Sequence, residues 1–145
     1  MKKIFCTIAL CLFASTILAA NFNFAGKWKG IVYVIKSNGE GSSINTLTLN
    51  PVGHGFFRGT NAWSRKTFTC LKRAKDCNIK VEHNRSGYNA VIATITPNDT
   101  LIAKKVGAPF LRIVLTPLKG GKTLDYSLEV GTRVILVHGV LHRIK

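Results

Sequence analysis

The stretch that decides the fold is Gly26-Lys27-Trp28-Lys29-Gly30-Ile31-Val32-Tyr33-Val34-Ile35-Lys36. Successive side chains of an extended chain point to opposite faces, so Trp28, Val32 and Val34 share one face of this stretch. The other face is also apolar and holds Ile31, Tyr33 and Ile35. We therefore predict that this stretch forms the first β-strand of the folded chain and that both of its faces are covered.

The rest of the chain repeats this pattern in segments of about ten residues that are separated by turn signals. We expect further strands at 56–63, at 66–70 and at 78–83, whereas residues 100–107 fit a short helix or a strand equally well. Eight or nine strands with hairpin-length connections predict an all-β antiparallel meander, most simply closed into a barrel. A two-sheet sandwich is the alternative architecture.

A family resemblance rests on two features of these strands. Gly26-Lys27-Trp28 opens the first strand, and Arg143 lies near the end of the last one. This arrangement resembles the calycin superfamily of lipocalin-like and avidin-like barrels, in which a Gly-x-Trp begins the first strand. The resemblance implies that the basic side chain of Arg143 packs over the indole of Trp28. It implies no ligand-contacting residues, because the family's later motifs are not evident in this chain.

The first twenty residues have the pattern of an export signal. Lys2 and Lys3 form a basic region, residues 4–18 are almost continuously apolar, and Ala19-Ala20 offers a cleavage site. The apolar run is too short for a membrane span. We predict a cleaved signal peptide at 1–20 and a single basic β-barrel domain at 21–145. The mature protein is then periplasmic or secreted, and a bacterial secreted effector or envelope protein fits this pattern.

Cysteine usage agrees with an oxidising compartment. The predicted signal peptide contains Cys6 and Cys11, which leaves Cys70 and Cys77 in the mature chain. In an exported protein these two most simply form a disulfide. The loop between them is short, so the bridge contributes roughly 2–3 kcal/mol and mainly fixes the shape of the loop.

The net charge of the chain is strongly positive. Lysine and arginine number 21 against 6 acidic residues, for a formal charge of +15. Such a chain attracts polyanions, although a merely solvated basic surface is the simpler alternative. The disulfide-closed loop is the best single candidate contact, because it holds Lys72, Arg73 and Lys75 in a preset array. Three nearby cations complete the predicted binding surface: Arg58, Arg65 and Lys66.

This cationic surface predicts a non-enzymatic binding protein whose partner is an anionic surface or polymer. Phosphates are the natural complement of such cations, in phospholipid headgroups, lipopolysaccharide or nucleic acid. The chain shows no recognised nucleic-acid-binding signature.

The barrel interior offers a second hypothesis, a calycin-type carrier of a small apolar ligand. Trp28, Phe57 and Tyr126 are the possible barrel-lining residues. The complete set that we expect to point inward is Trp28, Val32, Leu47, Phe57, Val91, Ile113, Tyr126 and Leu136. The same set would also fill a closed core, and the bulk of these side chains favours a packed interior.

Catalytic and metal-binding patterns are weak. The chain contains no nucleophile elbow, no zinc-binding His-Glu-x-x-His and no glycine-rich phosphate loop. His138 and His142 share a strand face but lie roughly 13 Å apart along an extended chain, too far to ligate one ion together. We expect no catalytic residues, no metal and no cofactor. A small basic ribonuclease that uses two of the four histidines is the remaining enzymatic alternative.

Overall fold

The computed structural model of the chain describes residues 22–131 and 135–145, without the side chains of Pro109 and Phe110. The predicted signal peptide at 1–20 lies outside the described residues. One short helix, α1 (Ile79–His83), lies among the strands. The strands, in chain order, are β1 (Gly26–Lys36), β2 (Gly39–Gly53), β3 (Phe56–Cys70), β4 (Ser86–Ile95), β5 (Leu101–Lys105), β6 (Ala108–Pro117), β7 (Thr123–Val130) and β8 (Ile135–Ile144).

The strands form a closed antiparallel barrel. Each strand pairs with the next one in the sequence, and β1 also pairs with β8, so the meander has no free edge. Trp28, for example, is paired with Leu47 of β2 on one side and with Arg143 of β8 on the other. The predicted all-β barrel is therefore confirmed, with eight strands, and the two-sheet sandwich is excluded.

The first strand buries only one of its two faces. Trp28, Val32 and Val34 point into the barrel and are buried, as predicted. The prediction that the opposite face is also covered is wrong, because a single-layer barrel has only one interior. The outer side chains remain exposed by 46%, 68% and 53% at Ile31, Tyr33 and Ile35.

One end of the barrel, which we call the closed end, is filled by aromatic side chains. Residues 22–25 precede β1 here and bring the ring of Phe24 to 6.4 Å from that of Phe57. The indole Nε1 of Trp28 donates a hydrogen bond to the backbone carbonyl of Phe24, at 2.9 Å. The Arg143 guanidinium lies 4.2 Å from the centre of the indole and donates to the backbone carbonyls of Asn23 and Ala25. A buried ring, its hydrogen bond and a stacked cation thus hold this end together.

The opposite end, which we call the open end, contains helix α1. Pairing of β3 with β4 ends at Ser64, whereas pairing of β3 with β2 continues to Cys70. Helix α1 packs against β3 beyond this point. The strand predicted at 78–83 is therefore wrong. The Asn78 side chain accepts hydrogen bonds from the backbone nitrogens of Lys80 and Val81 and so begins a helix instead.

Three other details differ from the predictions or resolve them. The separate strands predicted at 56–63 and 66–70 are one continuous strand, β3, and the ambiguous segment 100–107 contains strand β5. The inward position predicted for Leu136 is wrong, since its side chain is 49% exposed. Both faces of β8 carry apolar side chains, and burial of Leu141 near the closed end assigns the inward positions to Val137 and Gly139 instead.

The predicted disulfide is confirmed. The sulfur atoms of Cys70 and Cys77 are bonded, and the bridge joins the end of β3 to the residue before the Asn78 cap. Within residues 22–131 and 135–145 there is no helix with the length and apolar character needed to cross a membrane.

The Trp28 hydrogen bond can be tested by Trp28→Phe. The change leaves the buried Phe24 carbonyl without its donor and removes part of a buried ring, so we expect the free energy of unfolding to fall by about 2–3 kcal/mol. Urea unfolding measures this difference. Trp63→Phe, at a half-buried position near the open end, is the matched control. Equal losses in the two variants would contradict the role given to the closed end.

Candidate functional site

A cavity occupies the barrel interior at the open end. Its volume is about 350 Å³. Its lining residues come mainly from the middle and C-terminal parts of β1, β3 and β7 and from the N-terminal parts of β2, β4, β6 and β8. Its apolar walls include Val32, Val34, Leu111, Leu128, Val130, Ile135 and Val137. The interior is therefore divided into a packed closed end and a hollow open end.

Polar side chains lie inside this cavity, next to the packed end. Asn45 donates from Nδ2 to Oδ1 of Asn61 at 3.1 Å, and Asn61 donates from Nδ2 to the hydroxyl of Tyr126 at 3.3 Å. All three residues are buried. Burial raises the pKa of Tyr126 far above its ordinary value of 10.0, against the opposing effect of the two amides. The phenol is therefore neutral and can donate as well as accept a hydrogen bond.

A second polar group, which we call the Glu82 cluster, consists of Lys36, Arg65, Glu82 and Arg85. One Glu82 oxygen, Oε2, lies 2.6 Å from Nζ of Lys36, and the other, Oε1, lies 3.0 Å from Nη1 of Arg85. The nearest approach of Arg65 to this carboxylate is longer, 3.7 Å from Nη2 to Oε2. The three cations line the cavity at the open end.

The disulfide and helix α1 position this cluster. The bridge between Cys70 and Cys77 holds the start of the helical segment next to the end of β3. Helix α1 then places the buried carboxylate of Glu82 against the barrel. Just before β4 begins, the backbone carbonyl of Arg85 accepts a hydrogen bond from the backbone nitrogen of Arg65 in β3, at 2.8 Å. The sequence-distant Lys36 reaches the same carboxylate from the end of β1.

Burial and charge shift the ionisation of this cluster in identifiable directions. Burial lowers the pKa of Lys36, and the hydrogen bond and charge of Glu82 only partly oppose it. Burial likewise lowers the pKa of Arg65, against the attraction of Glu82. For Glu82, burial acts to raise the pKa, but Lys36 and Arg85 outweigh it and the pKa lies below its ordinary value of 4.5. Glu82 is accordingly ionised at neutral pH.

Arg65 and Ser43 hold buried polar atoms that form no hydrogen bond with any other described residue. Only 2% of the Arg65 side chain is exposed, and its Nε and Nη1 have no hydrogen-bond partner among the described residues. The buried hydroxyl of Ser43 is also without a partner in the part of the chain that the structure describes. The two residues are register partners on β2 and β3, and both line the cavity. The aromatic rings of Phe68 and Trp63 lie 5.1 and 5.8 Å from the guanidinium.

The six cations that the sequence predicts as one surface lie in four different places in the structure. Lys72, Arg73 and Lys75 are exposed in the disulfide-closed loop at the open end. Arg58 is exposed near the start of β3, at the closed end, and Lys66 is exposed on the outer face near the end of this strand. Arg65 does not join them, because its side chain lies inside the barrel.

The three predicted lining residues also separate. Trp28, Phe57 and Tyr126 all belong to the buried core, but of the three Tyr126 alone also lines the cavity. Sequence reasoning missed Asn45 and Asn61, although a signal was present. Both positions continue an inward alternation that larger apolar side chains define, Leu47 and Leu49 on β2 and Phe57 on β3.

The histidines lie on three different parts of the fold: His54 in the turn after β2, His83 in α1, and His138 and His142 on β8. Nε2 of His83 accepts from the backbone nitrogen of Phe68 at 3.2 Å, and Nε2 of His138 lies 2.8 Å from Asp125. Across residues 22–131 and 135–145, no three histidine, cysteine, aspartate or glutamate side chains are grouped as a metal site requires.

Comparison of the chain with models of known protein families gave no match, and comparison with curated proteins gave none either. The site is therefore interpreted from its own geometry.

The Glu82 cluster predicts a pH-dependent stability. We expect Glu82→Gln to lower the free energy of unfolding at neutral pH by about 3 kcal/mol, because buried cations lose their counter-charge. The depressed pKa means that ionised Glu82 stabilises the fold above pH 4.5 and that this contribution is lost as the pH falls further. The variant should therefore approach the parent protein in acid. Urea unfolding across pH measures both effects.

The matched control is Glu40→Gln, which makes the same change at an exposed position of β2. It should leave the neutral-pH stability nearly unchanged. A deficit in Glu82→Gln that persists in strong acid would contradict the electrostatic explanation.

Proposed function

We propose that this protein is a non-enzymatic binding protein that holds a small, largely apolar ligand in the cavity at the open end of the barrel. The observation that carries the proposal is the cavity of about 350 Å³, with apolar walls and a few buried polar groups. Pockets that bind small molecules typically combine these two features. The cationic-loop hypothesis is retained as a second function.

The packing of the interior supports this choice. Protein cores are normally filled to the density of organic crystals, and empty spaces larger than a water molecule are few. The closed end obeys this rule, with Phe24 and Trp28 fully buried, so the chain is able to fill a barrel where no space is needed. An eight-stranded barrel is wide enough to hold one small ligand. The space at the open end is then best explained as a binding site.

Family membership and export belong to the same proposal. The contact between the Arg143 guanidinium and the Trp28 indole, at 4.2 Å, is the one that the calycin resemblance implies, and it supports a place among calycin-like barrels. The disulfide between Cys70 and Cys77 supports export to an oxidising compartment, periplasmic or extracellular.

Binding in the cavity can be tested with N-phenyl-1-naphthylamine, an uncharged apolar dye whose fluorescence rises in apolar surroundings. We expect saturable binding to the mature protein, and at least about tenfold weaker binding to Val137→Phe, which places a ring inside the cavity. Val140→Phe makes the same change on the outer face of the same strand and should bind the dye normally. Equal binding by the two variants, or none by the parent protein, would refute the proposal.

A second candidate function is attachment to an anionic membrane surface through the disulfide-closed loop. Lys72, Arg73 and Lys75 are exposed in this loop, and apolar Leu71 is exposed beside them. The following helix exposes two more apolar side chains, Ile79 and Val81. Cations interspersed with exposed apolar side chains favour phospholipid headgroups among the possible phosphate-bearing partners.

This second function predicts salt-sensitive binding to vesicles that contain phosphatidylglycerol. Reversal of the loop charges by Lys72→Glu, Arg73→Glu and Lys75→Glu should weaken binding by at least about tenfold, since each cation near the surface contributes about 1 kcal/mol. Vesicle co-sedimentation measures the change. The control reverses three exposed cations at the closed end: Lys27, Lys29 and Arg58. If both triple variants lose binding equally, the loop is not a specific contact and the net charge alone is responsible.

A further inference from the structure

We infer that the ligand of the cavity is an apolar carboxylate, and that its anionic group is bound by Arg65 and Ser43 on neighbouring strands. This inference rests on the proposed function, because it assigns the chemical class of the ligand that the cavity holds. The apolar body of the ligand lies against the aliphatic walls, and the carboxylate reaches the polar atoms near the open end.

The first argument is the state of the Arg65 side chain. Its guanidinium is almost completely buried, yet Nε and Nη1 donate to no acceptor within the described parts of the chain. A buried charged donor without a partner is costly, and fold-stabilising arginines are normally paired. Because Arg65 lines the cavity, a group bound there can accept from these donors.

The second argument is the charge of the Glu82 cluster. The single carboxylate of Glu82 is engaged at both oxygens, by Lys36 at 2.6 Å and by Arg85 at 3.0 Å. Arg65 lies farther from it, at 3.7 Å, and forms no hydrogen bond with it. Three cations thus surround one anion. Arg65 has the least exposed side chain of the three and also lies farthest from the Glu82 carboxylate. An incoming anion would balance charge at that position.

The third argument is the local geometry. Ser43 and Arg65 are direct register partners on neighbouring strands, and both line the cavity. The Ser43 hydroxyl and the Arg65 Nε and Nη1 donors have no partner within the described residues. The rings of Phe68 and Trp63 flank the guanidinium. One arginine and one hydroxyl suit a carboxylate with a single charge. The aliphatic side chains beside them, including Val32 and Val34, suit an apolar body.

The experiment compares octanoate with 1-octanol, which have the same chain length and differ at the polar end. Each is titrated against the mature protein loaded with N-phenyl-1-naphthylamine, and displacement of the dye is measured at neutral pH. We expect octanoate to displace the dye at a concentration at least about tenfold lower than 1-octanol, since a hydrogen bond to a charged group typically contributes that much. In Arg65→Met the displacing concentrations of octanoate and 1-octanol, compared within that variant, should become about equal.

The matched control is Lys66→Met, which removes one cation from the adjacent outward-facing position of β3 and should keep the preference for octanoate. Equal affinities for octanoate and 1-octanol in the parent protein would overturn the inference. So would a preference that survives in Arg65→Met or disappears in Lys66→Met. If Arg65→Met does not fold, the preference for octanoate is measured in Arg65→Lys instead, because this variant keeps the charge but loses Nε and Nη1. Its octanoate preference should fall by several-fold, and an unchanged preference would overturn the inference.

These outcomes separate the inference from the proposal on which it rests. Absence of dye binding by the parent protein overturns the cavity function itself. Normal dye binding without a preference for octanoate leaves the cavity function in place and overturns only the carboxylate assignment.

Discussion

The pairing of β1 with two neighbours is the constraint on which the rest of the structure depends. Because β1 pairs with both β2 and β8, the sheet has one inner surface, and every inward side chain must share the same narrow space. The chain fills one end of this space with Phe24, Trp28 and Leu141, which are fully buried. At the other end it places shorter side chains and polar ones, so closure of the sheet leaves a cavity instead of a core. Closure of the sheet between β1 and β8 thus produces both the barrel fold and the cavity that forms the candidate site.

The architecture was predictable because it depends on local patterns. Alternation over residues 26–36 identified β1 and its inward face, and the turn signals indicated a meander. Two features depended on long-range pairing and were missed. The strand β3 continues past the end of β4, where only β2 pairs with it, and helix α1 covers this extension. The alternation at 78–83 looked like a strand, but the local Asn78 cap and the covering position favour a helix.

The candidate site was predictable only in part, because the charge of a residue and its position in the strand alternation can indicate different faces of the barrel. Charge alone groups Arg65 with Lys66. Adjacent residues of a strand point to opposite faces, however, and the alternation from Phe57 places Arg65 inside. The face of the strand on which each residue lies therefore separates Arg65 from Lys66, although their charges are the same. No local signal could have joined Lys36 to Glu82, because their contact requires the closed barrel, the disulfide and the helix together.

The lysines and arginines of this chain differ widely in their exposure to water. Most lysines and arginines are exposed, where water screens them and they cost the fold little. Lys36 and Arg65 are largely withdrawn from water, and a single carboxylate, Glu82, is their counter-charge within the cluster. Such a cluster destabilises an empty barrel relative to one with an apolar interior. On our proposal, an anionic ligand offsets this cost, so that binding and folding are thermodynamically linked and the occupied barrel is the more stable form.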